Sequence, residues 1–392
     1  MKKPSESIET LAVHAGEPNP RISGAVVMPV FMSAMYETRD ERSYDEQQYI
    51  RLNNTPNAQA LSKKLAALES AESAVVTASG MAAVTTTLLT ILSTGDHLLT
   101  QDCLYGGTHD FVTRDLERYG ISYTFIDRDK PDDWEKKIRP NTRALYMETI
   151  SNPLMQVPDL EAAVDFAKHH KLTSVIDNTF ASPVNYRPIE YGFDLSIHSA
   201  TKYLNGHSDI VAGAVIGGSE LVEKITHKLN HLGGSLDPHA AFLLHRGLKT
   251  LALRVRQHNE NALEIARFLE KHSSLAKVNY PGLESHPNHQ RAKRLFDGYG
   301  GMMSFQLQGG VNEAEQFLKR LKLPVIAPSL GSVETLITRP ARTSHSGLLA
   351  EDRWRLGISD ELIRFSVGIE GADDLMADLE QALVTAVPSI PS

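Results

Sequence analysis

Short apolar, β-branched runs alternate with amphipathic stretches of helical period through the middle of the chain. The strand-like runs cover residues 74–77, 97–100, 121–126, 144–147, 174–177 and 195–198. Helical patterns lie between them, at residues 81–92, 109–119 and 160–169. This alternation predicts strand–helix–strand units. The fold class is therefore α/β, with a mainly parallel sheet covered by helices on both faces.

The same pattern divides the chain into three parts. Residues 1–60 have weak periodicity and many turn formers, which predicts an N-terminal arm, and residues 61–245 form the predicted large domain. A continuous helical pattern over residues 245–272 predicts one long helix that connects two domains. Residues 246–392 are predicted to form a smaller α/β domain. Its predicted strands are 302–307, 333–338 and 363–369, and its predicted helices are 313–321 and 373–387.

Charge and cysteine content exclude several classes of protein. The chain has 40 Lys and Arg against 48 Asp and Glu, a net charge of −8, which argues against nucleic-acid and membrane partners. Cys103 is the only cysteine, so the chain has no internal disulfide framework and no cysteine-based zinc site. The histidines lack metal-ligand spacing, and we expect no metal. With no apolar run of about 18 residues and no signal-peptide pattern, we expect a cytoplasmic protein.

Three polar sites follow predicted strands, and each has two interpretations. Ser79-Gly80-Met81 opens a helix, where free N–H groups bind phosphate, but it could be only a tight turn. Asp177 ends a buried strand, at the sheet edge where ligands bind, but it could be only a cap. Lys202 follows another apolar strand. It could be a Schiff-base nucleophile with a lowered pKa, or a lysine that reaches water.

Together these residues match the needs of one cofactor. Pyridoxal phosphate requires a phosphate cradle, an amine, an acid for the pyridine nitrogen and an aromatic face for the ring. Gly80 with its neighbours, Lys202, Asp177 and Tyr105 supply one of each. The combination favours the functional interpretation over the structural one.

The chain resembles the pyridoxal-phosphate-dependent enzymes of cysteine and methionine metabolism, the transsulfuration family, from about residue 14 to residue 383. The most specific matches are Asp177-Asn178-Thr179-Phe180-Ala181-Ser182-Pro183 and the run from His198 to Asp209. Further matches are Tyr49-Ile50-Arg51, Ala78-Ser79-Gly80-Met81, Tyr105-Gly106-Gly107-Thr108, Asn152-Pro153, Ser329-Leu330-Gly331 and Ile363-Arg364-Phe365. The resemblance implies the aspartate-aminotransferase-like fold (fold type I) and pyridoxal 5′-phosphate as cofactor. It also implies an amino-acid substrate and a homotetramer, a dimer of dimers with active sites shared between two subunits.

The resemblance also implies residue roles. Lys202 matches the lysine that binds the cofactor and moves the α-proton, Asp177 matches the partner of the pyridine nitrogen, and Tyr105 matches the tyrosine that stacks on the ring and acts as an acid–base group. The matching phosphate-binding residues of one subunit are Gly80, Met81, Ser199 and Thr201. Those that reach the phosphate from the neighbouring subunit are Tyr49 and Arg51. The matching substrate contacts are Asn152, Ser329 and Arg364, of which Arg364 holds the α-carboxylate.

Within the family the reaction expected first is that of the cystathionine γ-lyases, γ-elimination from L-cystathionine. The cystathionine γ-synthases come next, followed by cystathionine β-lyases and methionine γ-lyases. Leu330 stands where bacterial β-lyases typically have tryptophan, and Gly107 stands where methionine γ-lyases commonly have cysteine. Two runs depart from the family pattern, Asn54-Thr55-Pro56 and Ala341-Arg342-Thr343-Ser344-His345. A catalytically silent oligomer is the non-enzyme alternative, against which the intact Lys202 weighs.

Overall fold

The structure is a computed structural model that describes residues 6–41, 43–344, 346–347 and 349–386. His345, Val387 and the ends of the predicted arm and smaller domain (residues 1–5 and 387–392) lie outside the described residues. The chain forms two compact units. The larger consists of residues up to Asp102, Gly107–Thr149 and Asp159–Ala252, and the smaller of Cys103–Gly106, Ile150–Pro158 and the chain from Leu253 onward. The two short inserted segments are not visible as a boundary in the linear sequence.

The larger unit is organised around a sheet of seven strands in the order β1-β7-β6-β5-β4-β2-β3. The strands are β1 (Ser73–Thr77), β2 (His97–Gln101), β3 (Ser122–Ile126), β4 (Thr142–Glu148), β5 (Thr173–Asp177), β6 (Leu195–His198) and β7 (Gly213–Gly217). The five strands from β2 to β6 are all parallel to one another. Strand β7 is antiparallel to both β1 and β6. The predicted α/β class and mainly parallel sheet are confirmed. Strand β7 was not predicted, because its five residues include two glycines.

Helices cover this sheet and carry the chain between its strands. They are α1 (Ile8–His14), α2 (Pro56–Leu68), α3 (Gly80–Ile91), α4 (Gly106–Asp110), α5 (Leu160–His170), α6 (Ser182–Asn185), α7 (Pro188–Tyr191), α8 (Ser219–Leu232) and α9 (Pro238–Leu248). Helix α2 starts at the departure from the family pattern, since Thr55 is its N-cap and Pro56 its first residue. The helix predicted over residues 109–119 begins earlier, at Gly106, and continues as a π-helical turn and a 3₁₀ turn that ends at Tyr119, with Gly120 as its C-cap.

The prediction of one long helix over residues 245–272 is wrong. Helix α9 ends at Leu248 and α10 (Leu251–Glu270) starts a new helix. At the break, the amides of Lys249 and Thr250 donate to the carbonyls of Arg246 and Gly247, three residues back. Such bonds tighten and end the last turn of a helix. The apolar period continues across the break, so the pattern alone did not reveal it.

The smaller unit has a sheet of five strands in the order β10-β11-β12-β9-β8. Its strands are β8 (Leu275–Asn279), β9 (Met302–Leu307), β10 (Val325–Ile326), β11 (Leu336–Thr338) and β12 (Ile363–Ser366), and its remaining helices are α11 (His289–Leu295), α12 (Val311–Arg320), α13 (Ala350–Arg355) and α14 (Ala372–Ala386). The core includes Phe305, Phe317 and Phe365. The strands predicted at 333–338 and 363–369 are shorter than expected, and β8 and β10 were missed, because both are edge strands with exposed residues. In the described part of the chain, no helix is long and apolar enough to cross a membrane.

Candidate active site

The turn between β1 and α3 presents an anion-binding helix end in the larger unit. Ser79 is the N-cap of α3, and its Oγ accepts a hydrogen bond from the Ala82 amide at 3.0 Å. The Ala83 amide donates to the Ser79 carbonyl at 3.1 Å. The amides of Gly80 and Met81 therefore have no internal partner within the described residues. Two free N–H groups at the positive end of a helix dipole suit a phosphate group.

Ser199 lies directly against this turn. A Cβ atom placed on Gly80 would lie 2.8 Å from Ser199 Cβ and 2.9 Å from its Oγ, so the close approach needs glycine. Thr201 lies two residues after Ser199. Its side chain is held in place, because its Oγ1 donates to the Ala212 carbonyl at 3.2 Å and accepts from the Ala212 amide at 3.0 Å. The structure thus brings together Gly80 and Ser199, two of the residues predicted to bind the phosphate.

Asp177 ends β5 and connects to the same cradle through one residue. The Thr179 amide donates to Asp177 Oδ1 at 2.9 Å, and Thr179 Oγ1 accepts from the Ser199 amide at 2.8 Å. Burial raises the pKa of the Asp177 carboxyl, while hydrogen bonds from Thr179 and Tyr146 oppose the rise. A protonated pyridine nitrogen would supply the positive partner that a buried carboxylate needs. Thr179 was missed from the sequence, although a hydroxyl two residues after Asp177 is a signal of such a turn.

Lys202 lies in the turn that follows β6. Its amide donates to the Ser199 carbonyl at 3.1 Å, and its carbonyl accepts from the Gly206 amide at 2.8 Å. These bonds fix the backbone of Lys202 relative to Ser199, and the side chain is partly buried. Lys202 therefore lies on the same loop as Ser199.

The N-terminal arm holds Tyr49 and Arg51 by local contacts. Asn54 Oδ1 accepts from the Tyr49 amide at 2.9 Å. The Arg51 guanidinium donates to the Asn230 carbonyl at 2.8 Å and to the Tyr44 hydroxyl at 2.7 Å, and it stacks over the rings of Tyr44 and Tyr49. Within this single chain, therefore, Arg51 binds the last turn of α8 rather than Gly80 or Ser199.

The smaller unit contains a second set of predicted residues around Arg364. This arginine lies on β12, is 5% exposed, and donates to the Ser329 carbonyl at 3.0 Å and to Asn152 Oδ1 at 3.4 Å. Burial lowers the pKa of Arg364 to about 10, so it remains charged at neutral pH. Ser329 has a φ of 102°, which is rare for a residue with a side chain and common at functional sites.

Tyr105 belongs to the same unit and precedes α4. Its side chain is 46% exposed, and the negative charge of its ionised form would raise the pKa of Arg364. Cys103, two residues earlier, is buried as expected for a structural thiol. In the part of the chain that the structure describes, no cluster of three His, Cys, Asp or Glu side chains could hold a metal ion.

The fold and these residues define a class, the pyridoxal-phosphate enzymes of fold type I. The sequence matches the family described as Cys/Met metabolism PLP-dependent enzyme over residues 9–384, and the chain belongs to that family. Its cofactor is pyridoxal 5′-phosphate. The donor set fits this group, because the free amides beside Ser199 suit the phosphate and Asp177 suits the ring nitrogen.

Relatives with several activities are similar to this chain. A cystathionine γ-lyase of Bacillus subtilis is 43% identical over 96% of this chain and 98% of its own length. An L-methionine γ-lyase of Fusobacterium nucleatum is 41% identical over 98% and 99%, and a cystathionine β-lyase of Coxiella burnetii is 41% identical over 96% and 97%. The crystal structure of cystathionine γ-lyase from Lactobacillus plantarum complexed with L-serine has a TM-score of 0.92 at 38% identity, covering 97% of this chain and 99% of that one.

Replacing Gly80 tests the phosphate cradle. In Gly80→Ala the new methyl group would collide with Ser199, so we expect the dissociation constant for pyridoxal phosphate to rise at least about tenfold, a loss of about 1.4 kcal/mol. The measurement is fluorescence titration of the apoprotein with cofactor. Gly218→Ala is the matched control, because its Cβ would meet no atom closer than 3.8 Å. Equal affinities for the two variants would contradict the role of Gly80.

Proposed function

We propose that this enzyme is a cystathionine γ-lyase. In this reaction the Cγ–S bond of L-cystathionine breaks, and with one water molecule the products are cysteine, 2-oxobutanoate and ammonia. The similarity to the Bacillus subtilis and Lactobacillus plantarum cystathionine γ-lyases over nearly the whole chain supports this choice.

The burial of Arg364 is the observation that supports an amino-acid substrate. A buried guanidinium needs a compensating charge, yet within the described residues its hydrogen bonds go to the neutral oxygens of Ser329 and Asn152. We propose that the α-carboxylate of the substrate supplies this charge and binds Arg364 through two parallel hydrogen bonds. Ser329 and Asn152 would hold the guanidinium in the orientation that this requires.

The remaining residues would bind the cofactor and move protons. Pyridoxal phosphate, when bound, withdraws electrons from the α-carbon of the substrate. We propose that the Asp177 carboxylate holds the proton on the ring nitrogen, and that Gly80, Met81, Ser199 and Thr201 hold the phosphate. Lys202 would bind the cofactor covalently, take the α-proton through its Nζ and exchange a proton with the β-carbon. Tyr105 would stack on the ring and protonate the departing sulfur through its hydroxyl.

We further propose a homotetramer in which two tightly associated subunits share each active site. The N-terminal arm exposes large apolar side chains, among them Val26, Met32 and Met35, the last 74% exposed. Several large apolar side chains exposed on one segment favour its burial against another copy of the chain. Tyr49 and Arg51 lie farther along this arm, so burial of the arm would carry them to a neighbouring subunit.

Two other reactions have specific support. Methionine γ-lyases and cystathionine β-lyases are also similar to this chain, at 41% identity. Gly107 and Leu330 favour the cystathionine γ-lyase assignment over both, and Leu330 is a buried side chain next to Ser329, where a larger residue would alter the substrate contacts. The cystathionine γ-synthase reaction is a further alternative. It is a γ-replacement, in which a thiol takes the place of the leaving group.

A substrate panel tests the assignment. Purified holoenzyme is given L-cystathionine, L-methionine, or an activated homoserine ester with cysteine, and 2-oxobutanoate, pyruvate, methanethiol and cystathionine are measured. We expect the highest kcat/KM for cystathionine, with 2-oxobutanoate and cysteine as products, and no turnover by a Lys202→Ala control. Pyruvate and homocysteine would indicate a β-lyase, rapid methanethiol release a methionine γ-lyase, and faster turnover of the ester a γ-synthase. Each of these outcomes would contradict the γ-lyase assignment.

A further inference from the structure

Glu69 and His198 form a buried pair beneath the candidate cofactor site. Glu69 follows the last residue of α2, and His198 is the last residue of β6. Glu69 Oε1 and His198 Nε2 are 2.5 Å apart, and the side chains are 0% and 1% exposed. Carboxylates are rarely buried unless they are paired with a cation. The carboxylate and the imidazole are therefore joined by a hydrogen bond that water does not reach.

The same carboxylate oxygen binds residues on two adjacent strand ends. Glu69 Oε1 accepts from Asn178 Nδ2 at 3.2 Å and from Ser196 Oγ at 3.3 Å. Asn178 directly follows Asp177, and its side chain is fixed further by Thr149 Oγ1 at 2.9 Å and by the Tyr186 carbonyl at 2.8 Å. His198 directly precedes Ser199. One buried acid thus holds the chain next to Asp177 and next to Ser199.

His198 also acts on Asp177 electrostatically. Its positive charge lowers the pKa of Asp177 and so opposes the rise that burial causes. A carboxylate that stays ionised holds a proton on a pyridine nitrogen more strongly than a protonated acid would. The facing charged and titratable groups in this region are Glu69, from the end of α2, Asp177, from β5, Tyr146, from β4, and Tyr186, which follows α6.

We propose that Glu69 and His198 are positioning residues that hold the ends of β5 and β6, and with them Asp177 and Ser199, in place for the cofactor. This proposal rests on the proposed function, since it assigns the ring nitrogen to Asp177 and the phosphate to Ser199. Neither Glu69 nor His198 would touch substrate or cofactor. Their effect would pass through the neighbouring residues Asn178, Asp177 and Ser199.

Neutral variants of similar size test the proposal. In Glu69→Gln and in His198→Gln, we expect the affinity of the apoprotein for pyridoxal phosphate to fall about tenfold. We also expect the pH midpoint of the visible absorbance of the bound cofactor to rise by about one unit, because less positive charge remains on the ring. The double variant should be no worse than either single one, since both remove the same pair.

Glu190→Gln is the matched control, because it neutralises an exposed carboxylate of the same unit that bonds Ser70 and Arg187. We expect its cofactor affinity and pH midpoint to equal those of the wild type. If Glu69→Gln behaves like Glu190→Gln, the proposal is wrong.

Two further measurements keep the proposal testable if the Gln variants do not fold. In a crystal structure of the wild-type holoenzyme, Glu69 must remain hydrogen-bonded to His198 while Asp177 lies at the ring nitrogen, and a separated pair would overturn the proposal. Asp177→Asn separates a failure of the proposed role of Asp177 from a failure of the positioning role of Glu69 and His198. If Asp177→Asn itself keeps wild-type affinity and pH midpoint, the proposed role of Asp177 fails. If only the Glu69 and His198 variants keep them, the positioning role alone fails.

Discussion

Replacement of Lys202 by alanine is expected to abolish turnover of every substrate in the panel. The loss in kcat should be at least about 10³-fold, because both the covalent attachment of the cofactor and the proton transfers at the α- and β-carbons would lose their amine. The fold should survive. Lys202 lies in a turn whose backbone hydrogen bonds to Ser199 and Gly206 do not depend on its side chain. The melting temperature of the apoprotein should therefore remain close to that of the wild type.

Covalent labelling gives this expectation a readout that is independent of turnover. Borohydride reduction of the wild-type holoenzyme, followed by peptide mapping, should place the cofactor on the peptide that contains Lys202. Lys224→Ala is a suitable control, because Lys224 is an exposed lysine on α8 that pairs with Glu220 at 2.6 Å. That variant should keep both the label and the activity. A label on another lysine in the wild type would refute the role of Lys202.

The sequence predicted the large sheet well, because most of its parallel strands are buried and appear as isolated apolar runs. Strand β5 and strand β6 were found this way, and both end at residues of the candidate site. Features without such a signal were missed. Strand β10 has two exposed residues, and the break between α9 and α10 lies inside an unbroken apolar period. Hydrogen bonding at Lys249 and Thr250, rather than hydrophobic pattern, ends that helix.

The candidate site was predictable where chemistry and spacing combine. Gly80, Asp177 and Lys202 are each ambiguous alone, and their combination identified the cofactor. Glu69 gave no comparable signal, since it follows an amphipathic helix where a solvated acid is common. Its partner His198 is more than a hundred residues away in sequence. Only the pairing of α2 with the ends of β5 and β6 shows that this acid is buried and paired, so three-dimensional structure was needed to find it.

A mixing experiment is expected to show that each active site needs two subunits. Arg51→Ala and Lys202→Ala should each be inactive at a limiting cofactor concentration, the first because it would lose the proposed phosphate contact and the second because it would lose the amine. In a hybrid dimer, one site combines Lys202 of one subunit with Arg51 of the other and is intact, while the second site carries both lesions. Random association at equal concentrations makes half of the dimers hybrid, so about a quarter of wild-type activity should return.

In the control experiment, Arg51→Ala is mixed with a double variant that carries both Arg51→Ala and Lys202→Ala. Its hybrids contain no intact Arg51, so activity should not recover. Subunit exchange is verified by mass spectrometry of differently tagged chains. In the structure of the single chain, Arg51 donates to the Asn230 carbonyl and to the Tyr44 hydroxyl. If exchange is complete and no activity returns, Arg51 serves its own subunit, and these contacts within the chain describe its working position.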